Sequence, residues 1–296
     1  MAADQGLIQH RGEPPVPTPT RPALGRRISL ALLLVPPMAW LVVAYLGSLA
    51  VLLVSAFWTT NTFTGAVVHT FTTDNIVAML TDPVFRTATL RTISVALVVT
   101  ALCVALAVPL AFYMAKVASP RVRLGLVVAV TTPLWASYLV KAYAWRMLFS
   151  PQGPMSWATG YSPGYGLTAT VATLTYLWLP YMVIPVFAAF ERVPDSLIDA
   201  SSDLGASDSA TLRMVVAPLV FPGIAAGSIF TFSLSLGDYI AVTIVGGKTQ
   251  LLGNIIYGQL VTANNQPLAA ALSIIPLVAI VAYLLAMRRT GALENV

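Results

Sequence analysis

Six stretches of this chain are long and apolar enough to cross a bilayer as helices, and that requirement constrains the fold more than any single motif. They cover roughly residues 30–57, 92–115, 125–148, 167–190, 219–245 and 268–287. A hydrocarbon core about 30 Å thick takes about 20 helical residues. Inside it every backbone N–H and C=O must find a partner within the protein, which an α-helix provides along its own length. The connecting segments are 58–91, 116–124, 149–166, 191–218 and 246–267. The expected fold class is an all-α integral membrane protein with six transmembrane helices. Composition agrees, because 57% of the 296 residues are hydrophobic and only 9% are charged, whereas soluble domains carry roughly 25% charged residues. So little charge cannot cover the surface of a water-soluble globule. Pro36 and Pro37 lie early in the first stretch, so that helix is expected to start a few residues after position 30.

Residues 1–27 contain Pro14, Pro15, Pro17, Pro19 and Pro22 with Arg11, Arg21, Arg26 and Arg27, and read as a disordered cytoplasmic tail. The apolar run that follows is about 28 residues long, well beyond the roughly 7–15 of a signal-peptide core, and is expected to remain as a spanning helix. The organisation expected is a tail at 1–27, a six-helix domain at 28–290 with a polar loop at 191–218, and a short cytoplasmic tail at 291–296.

An even number of spans puts both termini on one side, and basic residues choose the side. With the N-terminus inside, the inner segments hold Arg11, Arg21, Arg26, Arg27, Lys116, Arg121, Arg123, Arg192, Arg213, Arg288 and Arg289. Arg86, Arg91 and Lys248 fall outside, and Lys141 and Arg146 fall in the outer half of the third span. The bias predicts an integral membrane protein with both termini cytoplasmic. Trp58, Trp145 and Trp157 then sit near the outer interface, where indoles are favoured. The same bias accounts for the net charge of +5 without any nucleic-acid partner; the partner implied is membrane lipid. Cys103 is the single cysteine, and His10 and His69 lie far apart, so neither an intramolecular disulfide nor a metal site is expected.

Two connections are long. Segment 58–91 reads as a structured outer loop, with a helix start at Asp74-Asn75-Ile76 and a break at Asp82-Pro83. Segment 191–218 carries Glu191, Arg192, Asp195, Asp199, Asp203, Asp208 and Arg213. Pro194 and Asp195 suit a helix's first turn, where proline needs no N–H and a carboxylate favours the positive end of the dipole. Leu197, Ala200 and Leu204 recur at helical spacing as one apolar stripe. Gly205 suits a left-handed cap, and Ser207 with Asp208 can start a second helix running through Arg213 towards Pro218. A helix, a glycine turn and a second helix make a compact polar insert that a soluble partner could grip.

In this loop Asp199-Ala200-Ser201, Gly205, Val215, Ala217 and Pro218 stand at fixed spacing. The pattern resembles the signature of permeases of binding-protein-dependent ABC importers: Glu-Ala-Ala, three residues, Gly, nine residues, Ile, one residue, Leu-Pro. The run from Ile198 to Ile224 looks most like the spermidine/putrescine-type subfamily. Asp74-Asn75, Asp82-Pro83, Ala111-Phe112-Tyr113, Val140 to Trp145, Pro151-Gln152-Gly153, Leu236 to Tyr239, and Gly246-Gly247 with Leu252-Gly253-Asn254 look like further family segments in the same order. The likeness covers roughly residues 70–260. It implies a type I importer permease fold and a non-catalytic subunit with no cofactor of its own, ATP and Mg being held by a partner. It also implies a second permease subunit forming a heterodimer, two copies of a cytoplasmic ATPase, and an extracytoplasmic substrate-binding protein. Asp199, Ala200, Ser201, Gly205 and Pro218 would couple to the ATPase; without the resemblance the loop reads as an ordinary capped amphipathic surface segment. Polyamine is the implied cargo, with iron, thiamine or an organic anion as alternatives within the same architecture.

Charged side chains inside the predicted spans are Lys141, Arg146 and Asp238. Such groups are costly in lipid and face the protein interior or an aqueous path. Asp238 is the deepest and offers a negative stop for a cationic cargo, or else an internal hydrogen bond to Ser233 or Ser235. Lys141 fits an interior anchor better than a cargo contact, and Arg146 can reach an interface. With Asp238, the substrate-path set is Tyr239, Trp135, Tyr143, Trp145 and Lys141; Trp135, Tyr138, Tyr143 and Trp145 could offer cation–π faces, though singly each is better explained by helix packing. Gly246-Gly247-Lys248-Thr249 ends like a phosphate loop, but the glycine that motif requires falls on Val242. No ATP site is therefore read. An ion-coupled secondary transporter would bring internal repeats and several embedded acids, and an intramembrane protease would need a paired acid, histidine or metal set; the spans carry neither. Cysteines at Thr72 and Gly160 in a Cys103→Ala background are predicted to label from outside intact cells, and one at Ser202 only after permeabilisation; labelling at Ser202 in intact cells would invert the topology.

Overall fold

The computed structural model describes residues 24–61 and 64–289, with side chains from residue 32 onward. The two tails expected at 1–27 and 291–296 lie almost wholly outside the described residues. The chain divides into two compact units, Met1–Val51 and Leu52–Val296.

The first unit contributes most of helix α1 (Leu24–Ser55). Contrary to the expected late start, α1 passes straight through Pro36 and Pro37. Proline fixes φ near the helical value, so it removes an N–H and strains the turn before it without forbidding the helix. From Leu32 to Ser55 the mean hydropathy is 2.2, and this face-independent apolarity is what a helix surrounded by hydrocarbon or by other helices requires.

The second unit opens with a small antiparallel pair, β1 (Thr59–Thr60) and β2 (Val67–Val68), in the register Thr59 to Val68. Helix α2 (Asp74–Thr81) follows, held by Asn75, whose side-chain amide donates to the carbonyls of Ala56 and Trp58. Asp82 then accepts the Val84 N–H at 2.7 Å and starts α3 (Pro83–Phe112), which a π-turn extends to Val117. Asp82-Pro83 is thus a helix start as well as a break, and the second span begins at 83 instead of 92. Arg86 and Arg91 lower the hydropathy of its first turns and hide the start from a reading by hydropathy.

The third predicted span is two helices. α4 (Pro120–Trp135) and α5 (Tyr138–Leu148) meet at 100° across Ala136 and Ser137. Pro133 removes a hydrogen bond from the last turn of α4, and both linking residues are extended. Beyond the short α6 (Pro154–Thr159), α7 (Leu167–Glu191) is the fourth span. α8 (Asp195–Asp203) and α9 (Asp208–Thr211) form the polar loop, and a π-turn at Leu212–Val216 leads into α10 (Ala217–Gly237). The run predicted as the fifth span, 219–245, is also interrupted: α10 ends at Gly237, Asp238 is extended, and the chain resumes as the short α11 (Ile240–Val245). α12 (Leu252–Tyr257), a π-turn at Gly258–Thr262 and α13 (Gln266–Arg289) complete the unit. Five helices are long and apolar enough to span, and the bent α4–α5 pair makes a sixth.

The core is the seam where α3, α7 and α10 meet, filled by Val99, Ala107, Leu174, Met182, Val186 and Val220, all nearly inaccessible. Cys103 is buried there, its thiol donating to the Thr175 carbonyl at 3.5 Å. Between helices in lipid, close backbone approach replaces hydrophobic drive, and two glycines permit it. A Cβ on Gly223 would lie 2.5 Å from the Ala189 Cβ and 2.7 Å from the Pro185 carbonyl oxygen, and one on Gly227 would lie 2.7 Å from the Met182 sulfur. Gly223→Val is predicted to destabilise the protein by about 1–3 kcal/mol, the usual range for overpacking, lowering its unfolding midpoint in detergent. Gly125→Ala, where a Cβ meets nothing within 4 Å, should leave that midpoint unchanged or raise it.

Candidate functional site

The polar loop folds as its sequence dictates. Pro194 precedes α8 in an extended conformation, Asp195 occupies the first turn, and Gly205 adopts φ +80°, a left-handed value that glycine takes without steric cost. The Ser207 hydroxyl accepts the Ala210 N–H at 3.4 Å and begins α9. Ser201 and Thr211 join their hydroxyls at 2.9 Å and close α8 upon α9. Pro218 lies in the first turn of α10, directly after the π-turn; its missing N–H and its ring favour such a widened turn.

The stripe Leu197, Ala200 and Leu204 faces away from the bundle. Ile198 packs against the core instead, while Leu197 is 43% and Leu204 89% exposed. Asp199, Ala200 and Gly205 are exposed as well, and Ser201 is half-buried. A fixed loop therefore holds an apolar edge outward, with open space around Gly205.

The second cluster lies at the two broken spans. Asp238 is buried, its Oδ1 accepting the Ala241 N–H at 2.9 Å and its Oδ2 accepting the Tyr138 hydroxyl. The carboxylate thus caps α11 across the break while also holding the first residue of α5. Lys141 Nζ donates to the Pro133 carbonyl at 3.0 Å, at the end of α4 where the break frees acceptors. Arg146 Nη1 donates to the Ile244 carbonyl at 2.5 Å, near the far end of α11, and its guanidinium lies 4.9 Å over the Tyr165 ring. Each of the three embedded charges serves a backbone group at or beside a broken helix. Ser233 and Ser235, the alternative partners read for Asp238, do not bond it, and the Ser235 hydroxyl is buried without a hydrogen bond.

The neighbouring packing makes α5 and α11 one piece, with Ala142, Phe149, Ile244 and Val245 in contact. Asn254 donates to the Tyr239 carbonyl at 3.0 Å and to the Thr243 hydroxyl at 2.7 Å, and Tyr239 stacks on Tyr257 at 4.7 Å. A Cβ on Gly253 would come within 2.9 Å of the Asp238 carbonyl oxygen, so α12 can lie against the break only because position 253 has no side chain. Of the residues predicted for a substrate path, Asp238, Tyr239 and Lys141 sit at these breaks. Trp145 packs between Phe149 and Tyr176 at 5.1 and 5.3 Å. Trp135 is 90% and Tyr143 58% exposed, so this chain alone holds neither in a site. Sequence reasoning weighed Tyr138 only as an aromatic face and did not foresee its hydroxyl's role; its place just after Pro133 and Ser137 was the available signal. Among the described residues no group of His, Cys, Asp or Glu is placed to hold a metal.

Residues 107–289 match the family described as the binding-protein-dependent transport system inner membrane component. The chain belongs to this family. An inner membrane ABC transporter permease protein of Escherichia coli strain K12, YdcU, is 40% identical, over 94% of this chain and 97% of its own. The spermidine/putrescine transport system permease protein PotB of the same strain is 30% identical over 76% of this chain and 84% of its own. Among solved structures, a bacterial alginate ABC transporter crystallised with its alginate-pentasaccharide-bound periplasmic protein contains a chain of the same fold, with a TM-score of 0.70 over 90% of this chain, 95% of that chain and 16% identity. The permease is thus a multi-pass inner membrane transport subunit with the type I importer permease fold, and not an enzyme.

The capping role of Asp238 gives a stability test. Asp238→Asn keeps an acceptor for Ala241 and a polar partner for Tyr138, so the permease should unfold at an unchanged midpoint. Asp238→Ala strands a buried N–H and a buried hydroxyl, and should cost about 1–3 kcal/mol per unsatisfied group, read as a lowered midpoint or a loss of folded protein in the membrane.

Proposed function

We propose that this permease forms half of the translocation path of a polyamine importer, and that α8 docks on a separate cytoplasmic ATPase. The observation that carries the docking reading is the apolar edge at Leu204, held outward on a helix–glycine–helix loop. An apolar side chain fixed at the tip of a polar loop is favourable once a partner covers it. Both termini lie in the cytoplasm in this reading, in line with the basic-residue bias. The other half of the path is a similar but distinct permease, with two ATPase copies and one extracytoplasmic binding protein completing the assembly. Recovery of an active complex containing this permease as its sole permease species would refute the heterodimer.

The polyamine reading is supported by the relatives named for spermidine and putrescine and by the buried carboxylate at the fifth-span break. Cargo ammonium groups would replace the Tyr138 hydroxyl on Asp238 as the path opens, with Tyr239 beside it. Asp238→Asn is then expected to lower polyamine uptake several-fold while the complex still assembles, whereas full uptake would remove Asp238 from the path. Gly205→Val tests coupling. A β-branched residue at φ +80° is penalised by roughly 1–2 kcal/mol, and its side chain fills the space open to a partner. Normal membrane levels with loss of substrate-stimulated ATP hydrolysis are expected, and unchanged transport would exclude the loop as the coupling element.

A further inference from the structure

Among the described residues the side-chain ion pairs are Lys116–Asp195 at 2.7 Å and Arg123–Glu191 at 3.4 Å, and both cross the same seam. Asp195 opens α8 and Glu191 ends α7, so one side of the seam is the stem of the polar loop. The other side is the π-turn ending α3, which carries Lys116, and the first turn of α4, which carries Arg123. The contacts go beyond charge pairing. Lys116 Nζ also donates to the Val193 carbonyl at 2.6 Å, and its side chain is only 13% exposed. Arg123 donates from Nε to the Met114 carbonyl at 2.9 Å and from Nη2 to the Ala115 carbonyl at 2.7 Å. A guanidinium fork engaging two carbonyls and a carboxylate fixes direction as well as distance.

The far end of α4 is the break at Ala136 and Ser137, beyond which Tyr138 holds Asp238. α4 has 16 residues, about 24 Å of helix at 1.5 Å per residue. It runs unbroken from the clamped seam to Trp135, and the break between it and Tyr138 is bridged by Lys141 of α5, whose Nζ donates to the Pro133 carbonyl at 3.0 Å. Coupling between distant sites is carried by rigid elements joined through packed and hydrogen-bonded contacts, and this helix is held by Arg123 at its loop end and by Lys141 at its far end.

We propose that α4 is the lever by which the polar loop acts on the Tyr138–Asp238 pair, with Arg123 and Lys116 as positioning residues at its loop end. Displacement of α8 moves the α7–α8 stem, the clamp carries the motion to the start of α4, and α4 delivers it to the break. This rests on the reading of α8 as an ATPase dock. The test uses the assembled complex with a cysteine in place of Ser137, an exposed residue of the break, in a Cys103→Ala background. Its thiol-labelling rate is measured with and without a non-hydrolysable ATP analogue. The rate should change on adding the analogue in the otherwise unaltered complex, and the change should disappear in Arg123→Gln and in Lys116→Met while the ATPase still co-purifies. A change that survives in both variants overturns the lever, as does its absence from the unaltered complex. Release of the ATPase by either variant also overturns it, since the seam would then be part of the dock. Leu204→Asp separates the two readings: if it keeps the ATPase bound, the docking reading fails.

Discussion

Hydrocarbon offers a backbone amide no water, so every interruption of a spanning helix must be repaired from within the protein. Two of the apolar runs read as spans are interrupted, at Ala136–Ser137 and at Asp238, and the charges embedded nearby make the repairs. Asp238 takes an N–H of α11, Lys141 supplies a proton to the end of α4, and Arg146 supplies one near the end of α11. An unpaired buried polar group costs about 1–3 kcal/mol, so these hydrogen bonds are a condition of having the breaks at all. Lys141 and Asp238 consequently do not form the cross-membrane salt bridge that their opposite charges invite. Each is already committed to a backbone group or a hydroxyl.

What was legible in the sequence was what local chemistry determines. The spans are visible because apolar length is a one-dimensional property, and the loop is visible because Pro194, Asp195, Gly205 and Ser207 each act on their own turn. The breaks were not visible. Ala136, Ser137 and Gly237 are close to neutral in hydropathy, so apolar runs continue across them, although Pro133 and the Gly237-Asp238 pair mark the positions in retrospect. The direction of α8 was not legible either, since the spacing of Leu197, Ala200 and Leu204 defines a face without saying whether bundle or solvent receives it. Ile198, a single apolar residue on another face, settles the matter through packing against the core. The pairs Tyr138–Asp238, Lys116–Asp195 and Arg123–Glu191 join residues far apart in sequence, and no periodicity encodes such partners.

The bundle seam and the loop tip place opposite demands on neighbouring helices. α7 and α10 are drawn together by Gly223 and Gly227 until backbone nearly touches backbone, which makes the seam intolerant of added volume. The loop joining the same two helices holds the Leu204 side chain 89% exposed and leaves open space where a Gly205 side chain would be. Rigidity in the stem and openness at the tip are compatible because Ile198 and the Ser201–Thr211 hydroxyl pair fasten one face of the loop and leave the other free.

The lone thiol has a chemical consequence of its own. Cys103 is enclosed in the α3–α7 seam with its hydrogen directed at a backbone carbonyl, an environment in which cysteine behaves as a small apolar residue. Neither oxidants nor alkylating reagents can reach it while the bundle is closed. The fold is accordingly indifferent to the redox state of its surroundings, and modification of this sulfur by a water-soluble reagent would report that α3 and α7 had come apart.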